Sequence, residues 1–265
     1  MTLIQVVILA IVQGLTEFLP VSSSGHLVLV PYLFAWADQG LAFDVAVHFG
    51  SLAAVCIYFR KDMASILAGG MRLLGDNITT PESRLAQAIA LGTVPAALAG
   101  LLFASWIEAN LRDPLVIVYT LSGFGILMAI ADRVGRRERN ISGVGFRDAV
   151  IIGFAQALSL VPGTSRSGVT ITAARFLGFG RQDAARFSFL LSAPVIFLAA
   201  VYKLVALILG DAAVAWGQLG LGALLACVIA YLSIEFFMRF VTRIGLAPFA
   251  IYRLILAAFI LYVLA

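Results

Sequence analysis

Charge is what this sequence has least of. Asp, Glu, Lys and Arg together make up 12% of its 265 residues, about half of what the surface of a water-soluble domain normally carries. A soluble globular protein is therefore excluded. So are a disordered chain and a collagen-like repeat, because 62% of the residues are hydrophobic. Cysteine is nearly absent as well: Cys56 and Cys227 lie far apart in apolar stretches, which rules out a disulfide framework and a metal-finger spacing and leaves two small core residues. Basic residues exceed acidic ones only slightly, 18 against 14, and they are scattered over short loops, so nucleic acid is not a partner. The opening Met1-Thr2-Leu3-Ile4-Gln5 lacks the basic start of a secretory signal, and Glu17 falls where a cleavage region would lie. The N-terminal segment is expected to belong to the folded protein.

What is abundant is long apolar runs. A membrane-crossing helix needs about 20 predominantly apolar residues, and residues 43–59, 85–107, 114–131, 187–209, 213–238 and 246–265 qualify as six spans. Two further regions are apolar but broken. Residues 1–37 are interrupted by Glu17-Phe18-Leu19-Pro20 and by Ser22-Ser23-Ser24-Gly25-His26, and residues 149–180 by Pro162-Gly163-Thr164-Ser165-Arg166-Ser167-Gly168. A short helix, a polar break and a second short helix is the pattern of a re-entrant pair, whose unwound backbone is tolerated at membrane depth only inside protein or against a wet cavity.

The basic residues orient the chain. Arg60, Lys61, Arg72 and Arg84 fall in one connection, Arg133, Arg136, Arg137, Arg139 and Arg147 in another, and Arg239 with Arg243 in a third, so these are expected on the cytoplasmic side. The connections around Glu108–Asp113, with a single arginine, and Asp211, with none, are expected outside, as are both termini. The first re-entrant pair then enters from outside and the second from the cytoplasm.

An internal repeat fits this threading. A shift of 143 positions lays Gln13–Gly25 on Gln156–Gly168 with five of thirteen residues identical, where chance gives roughly one. A weaker echo joins Gly92-Thr93-Val94-Pro95 to Gly245-Leu246-Ala247-Pro248. The expected fold is an all-α integral membrane protein, one membrane domain over residues 1–265. It comprises six transmembrane helices plus two re-entrant helix pairs in an inverted-topology repeat, with halves 1–132 and 146–265.

The breaks hold residues that are costly at membrane depth. Glu17 and Arg166 are functional candidates by default, since an intramembrane charge costs at least about 2.5–3.5 kcal/mol, and pairing them would offset part of that. In each break Ser and Gly precede an apolar run, so the second short helix starts with free N–H groups and a positive dipole end, an anion site. Arg166 adds a planar fork suited to phosphate or carboxylate. Ser22, Ser23, Ser24, Ser165, Ser167 and Thr170 supply hydroxyls, and His26 is suited to proton transfer near neutral pH. Gln13 and Glu17, four apart, share a helix face pointing at the break, an oxygen-rich pair able to hold a hard divalent cation that bridges phosphates. Plainer readings stand beside these. Ser22, Ser24, Ser167 and Thr170 also serve as caps or close helix contacts, Glu17–Arg166 as a structural ion pair, His26 as a satisfied interior histidine, and Gln156 as a helix-packing hydrogen-bonder. His48 is a candidate to line the cavity.

The strings Gln13-Gly-Leu-Thr-Glu-Phe-Leu-Pro-Val-Ser-Ser-Ser-Gly-His26 and Pro162-Gly-Thr-Ser-Arg-Ser-Gly-Val-Thr170 closely resemble the two signature regions of the bacterial undecaprenyl-diphosphate phosphatases, the bacitracin-resistance membrane enzymes. Phe187–Pro194 and Pro248–Arg253 resemble further family stretches. The resemblance implies an inner-membrane hydrolase that removes one phosphate from a C55 isoprenoid diphosphate on the outer face, recycling the carrier for cell-wall synthesis. It places Glu17, Ser23, His26 and Arg166 at catalytic positions, with Ser22, Ser24, Ser165 and Thr170 as neighbours in the same motifs; Ser22, Ser24, Ser165, Ser167 and Thr170 are the hydroxyls expected to bind the substrate phosphates. It further implies a divalent cation, Mg2+ or Ca2+, and is compatible with a homodimer. Many members carry glutamate where this chain has Gln13, which weakens a two-carboxylate metal site here. The expected chemistry is attack by Ser23 on the terminal phosphorus with Glu17 or His26 taking the proton, or else direct attack by an activated water. A carrier or flippase of anionic lipid phosphate is the alternative of another class, because inverted repeats around a midplane anion site are transporter architecture.

Overall fold

A computed structural model describes residues 1–73, 80–111, 113–135, 139–208 and 215–264; Arg112, Arg136, Arg137 and Asp211 lie outside them. Among the described residues the chain is helical throughout, with one isolated bridge between Arg139 and Phe179. The six expected spans are α3 (Gly40–Tyr58), α5 (Pro81–Asn110), α6 (Pro114–Val134), α9 (Arg181–Ile208), α10 (Trp216–Ile244) and α11 (Ala247–Leu264). The two broken regions become α1 (Leu3–Thr16) with α2 (Ser23–Leu33) and α7 (Phe146–Leu158) with α8 (Arg166–Phe176). One helix was not expected: α4 (Arg60–Leu73) occupies the connection read as a basic loop.

Local chemistry sets the boundaries. The Thr2 hydroxyl accepts from the Gln5 N–H and the Gln5 side chain accepts from the Thr2 N–H, closing a capping box at α1. Thr80 and Asp113 cap α5 and α6, each followed by a proline at the first helical position, where its missing N–H costs nothing. Gly245, at φ +69°, ends α10 and turns the chain into α11.

Backbones approach closely where glycines face each other's helices. A Cβ on Gly50 of α3 would sit 2.1 Å from the Ala223 carbonyl oxygen of α10, and one on Gly153 of α7 would sit 2.6 Å from that of Gly92 in α5. Gly14 of α1 meets α10 in the same way, at Ile229 and Ala226. These small-residue seams are how membrane helices gain packing contact without a hydrophobic driving force. The first helix of each broken pair thus lies against a long helix of the other half of the chain, α1 on α10 and α7 on α5. Gln156 behaves as read, its Nε2 donating to the Gly92 carbonyl across that second seam. Cys56 and Cys227 are half-buried free thiols packed on the core. Gly92–Pro95 lies inside α5, whereas Gly245–Pro248 spans the junction of α10 and α11. The two strings of that weaker echo thus sit in different local settings.

Contacts between helix ends are consistent with the alternate threading. Arg181 at the start of α9 binds the Asp132 carboxylate at the end of α6 through two bonds, 2.6 and 2.7 Å, and donates to the Thr242 carbonyl near the end of α10. Arg186 pairs with Asp62 at the start of α4. On the α10 start, Gln218 donates to the Met1 carbonyl at 3.1 Å. Outward-facing side chains on the spans are apolar, among them Leu101, Tyr119 and Ile255, all over 60% exposed, a surface suited to lipid rather than water.

Candidate active site

The two breaks have the same local build. Ser22 and Ser165 hold positive φ values, 76° and 70°, a conformation uncommon outside glycine and associated with functional strain. Each is the N-cap of the helix that follows: the Ser22 hydroxyl accepts from the Gly25 N–H at 3.4 Å and the Ser165 hydroxyl from the Gly168 N–H at 3.2 Å. Ser22 also lies 3.3 Å from the Ser24 hydroxyl, and Ser165 lies 3.3 Å from that of Ser167. The residue after each strained serine opens its helix, Ser23 in α2 and Arg166 in α8. Both helices present first-turn N–H groups that no intrahelical carbonyl can satisfy.

Glu17, the cap at the end of α1, joins the two breaks. Its Oε1 accepts from Arg166 Nη2 at 2.8 Å. Its Oε2 accepts from the Ser23 hydroxyl at 2.7 Å and from Gln13 Nε2 at 3.1 Å. Glu17 is only 8% exposed, so these are strong charge-assisted bonds in a poorly solvated place. The expected pairing of Glu17 with Arg166 is therefore present. Arg166 also lies over the Phe18 ring, 5.6 Å from its centroid, and its Nη1 is buried with no hydrogen-bond partner. A buried guanidinium nitrogen rarely stays unsatisfied in a finished site. Gln13 Oε1 is in the same condition.

The remaining candidates divide. Ser24 is exposed beside the first break. Ser167 donates to the Leu19 carbonyl at 3.1 Å, pinning α8 to the first break. Thr170 is fully buried and engaged with the Arg166 carbonyl at 2.8 Å and the Ser188 hydroxyl at 2.6 Å. The hydroxyls of Ser165, Ser167 and Thr170 thus have protein partners, and Ser23 alone of the named hydroxyls touches the Glu17 carboxylate. His26 turns away from Ser23 and Glu17. Its Nδ1–H donates to the Ser22 carbonyl at 2.7 Å, which leaves Nε2 of the neutral ring to accept from the Tyr252 hydroxyl at 2.6 Å. His48 does reach the site, with Nδ1 on the Asp44 carbonyl and Nε2 4.0 Å from Glu17 Oε2.

Two residues of α11 escaped the reading of the sequence. Tyr252 caps His26, and the neighbouring Arg253, fully buried, gathers carbonyl groups behind both breaks. Both lie in the Pro248–Arg253 string noted above for its family likeness, yet nothing in that string tells which polar break a helix some 230 residues away will meet.

Comparison with known proteins gives the family. The family model described as bacitracin resistance protein BacA matches residues 6–259. Similar curated proteins include "Undecaprenyl-diphosphatase 2" of Stutzerimonas stutzeri, 53% identical and covering 98% of both chains. Also similar are "Undecaprenyl-diphosphatase" of Thioalkalivibrio sulfidiphilus, 51% identical over 99% of both chains, and of Teredinibacter turnerae, 52% identical over 97% of both. With a match along nearly its whole length and both polar breaks inside it, this chain belongs to the bacitracin resistance protein BacA family.

Proposed function

We propose that this protein is a membrane phosphatase that hydrolyses undecaprenyl diphosphate to undecaprenyl phosphate and inorganic phosphate. This regenerates the lipid carrier of cell-wall synthesis and confers resistance to bacitracin. One observation carries the reading: a single buried carboxylate, Glu17, accepts from a serine hydroxyl on one side and from a phosphate-matching arginine on the other, and that arginine keeps a buried nitrogen unpaired. A carrier needs the anion clamp, but it has no use for a hydroxyl hydrogen-bonded to a base.

The chemistry follows from those contacts. The terminal phosphate takes the free Arg166 nitrogen and the first-turn N–H groups of α2 and α8. Ser23 Oγ attacks the terminal phosphorus while its proton passes to Glu17 Oε2. The bond from that phosphorus to the bridging oxygen breaks, and undecaprenyl phosphate departs with the electron pair. Glu17 releases its proton to solvent and then accepts one from a water that attacks the phosphoserine. The Ser23 oxygen recovers that proton from Glu17, and phosphate leaves. Positioned donors stabilise charge gathering on the transferred phosphoryl group. The 2.7 Å contact favours Glu17 as the proton acceptor, while His26, held between Ser22 and Tyr252, supports the start of α2.

A divalent cation fits as a companion of the diphosphate. Among the described residues no cluster of three His, Cys, Asp or Glu could hold a metal. Gln13 Oε1, buried and unpartnered beside Glu17, completes an oxygen pair of the kind Mg2+ uses when substrate phosphates and water fill the rest of its shell. Such an ion would neutralise diphosphate charge. The basic connections favour an arrangement in the bacterial inner membrane with both termini outside and the first break reached from that face. In that arrangement the two halves of the chain are inverted relative to each other.

The test is phosphate release from C55 diphosphate by the purified protein in detergent, with Ser23→Ala, Arg166→Ala and a chelator alongside. Loss of release in Arg166→Ala, and a phosphoserine trapped on Ser23 in the wild type, support the mechanism. Full single-turnover activity in Ser23→Ala would leave water as the attacking group. A folded wild type that releases nothing with Mg2+ supplied, yet moves labelled lipid phosphate across proteoliposomes, would overturn the enzyme in favour of a carrier.

A further inference from the structure

Arg253 of α11 is one of the largest fully buried side chains of the protein. Among the described residues it forms no ion pair with a carboxylate. Instead its guanidinium spends itself on backbone carbonyls. Nη2 donates to Gly163 and Thr164 at 3.0 Å each and to Thr120 at 3.2 Å, Nε donates to Leu121 at 3.1 Å, and Nη1 reaches Pro20 at 3.5 Å. Pro20 lies in the turn before α2, and Gly163 and Thr164 lie in the turn before α8. Non-helical carbonyls at such a depth have no helical N–H to accept from and no bulk water to replace it. One side chain thus supplies donors to the polar turns of both broken pairs and ties them to the middle of α6.

The fit is tight. A Cβ on Gly168, in the first turn of α8, would come within 2.9 Å of Arg253 Nη1. The arginine therefore stands directly behind the helix start that presents Arg166. In the same stretch of α11 the Tyr252 hydroxyl holds His26 of α2 at 2.6 Å. The two helix starts that make up the anion site are thus braced from one helix.

We infer that Arg253 is a positioning residue for the phosphatase reaction. By clamping the carbonyls of both breaks it fixes how far Ser23 and Glu17 stand from Arg166, without touching the substrate. The inference rests on the phosphatase reading for its kinetic part only. A fork that satisfies several carbonyls at once cannot be replaced by a single ammonium of the same charge, so Arg253→Lys separates geometry from charge. Misplacement of reacting groups lowers the rate of the chemical step more than it weakens binding.

The experiment is hydrogen–deuterium exchange on detergent-solubilised wild type, Arg253→Lys and Arg186→Lys, the last a control whose partner is Asp62, together with kcat and KM on C55 diphosphate. For Arg253→Lys the expected result is exchange at least tenfold faster in peptides covering both breaks, residues 17–24 and 159–168, with α3, α9 and α10 unchanged. Its kcat should fall tenfold or more, with KM within threefold of wild type. Unchanged exchange at the breaks, a response confined to one break, or faster exchange spread over all the spans would each overturn the inference. If the wild type itself releases no phosphate, the phosphatase reading fails while exchange at the two breaks still decides the role of Arg253.

Discussion

At the scale of single residues the site depends on a few atoms. In the proposed mechanism Arg166→Ala removes a preorganised donor aimed at developing charge, and the rate of phosphate release should fall on the order of 10²–10³-fold; a loss under about threefold would remove Arg166 from the chemistry. Gln13→Glu places a second carboxylate one helical turn from Glu17. On the proposal that Gln13 and Glu17 share a divalent cation with the substrate, the Mg2+ concentration for half-maximal activity should then drop on the order of tenfold, since added ligand charge tightens a hard-cation site, and a metal titration of the two proteins reads this directly. The two first-turn glycines also differ. A Cβ at Gly25 meets nothing closer than 3.5 Å, whereas at Gly168 it meets the immobilised Arg253 at 2.9 Å. Gly25→Ala should therefore retain most of the activity and Gly168→Ala lose most of it, measured side by side at matched protein folding. Glu17, Ser23 and Arg166 were legible in the sequence because an acid, a base and a serine cluster are expensive to keep in an apolar run. Tyr252 and Arg253 were not: each is one polar residue in an apolar helix, and its meaning lies in which distant turn it touches.

At the scale of helices the seams decide. Gly50→Ala drives a methyl group into the Ala223 carbonyl of α10, and the repacking should cost about 1–3 kcal/mol, read as a lowered unfolding midpoint in detergent. Gly123, with open space where a methyl group would stand, should accept alanine without loss. Helix existence was the readable part of this sequence, since apolar length and polar breaks locate the six spans and both broken pairs, with span ends displaced by up to six residues, as at Arg181 of α9 and Ile244 of α10. The helix α4 was hidden by its composition. Arg60, Lys61, Asp62 and Arg72 make it look like a loop, and it is helical because one side rests on α5, where Gly69 leaves room for the Glu82 backbone.

At the scale of the molecule, contacts at helix ends bear on topology. The bond from Gln218 to Met1 puts the N-terminus beside the start of α10, while Asp132, Arg181 and Thr242 gather the ends of α6, α9 and α10 elsewhere. Cysteines introduced at Thr2 and Ser142 should accordingly react with a membrane-impermeant maleimide from opposite sides of the bilayer, Thr2 from outside. Labelling of both from one side would refute the threading.

Ser23 and Arg166 each follow a serine held in the same rare backbone conformation and each open a short helix, so they fill one structural position twice. In the proposed mechanism the nucleophile stands at one copy and the charge clamp at the other. The consequence is an asymmetry: two breaks of one backbone shape carry a hydroxyl in one and a guanidinium in the other, so the Glu17 carboxylate between them meets a proton donor and a positive charge at once.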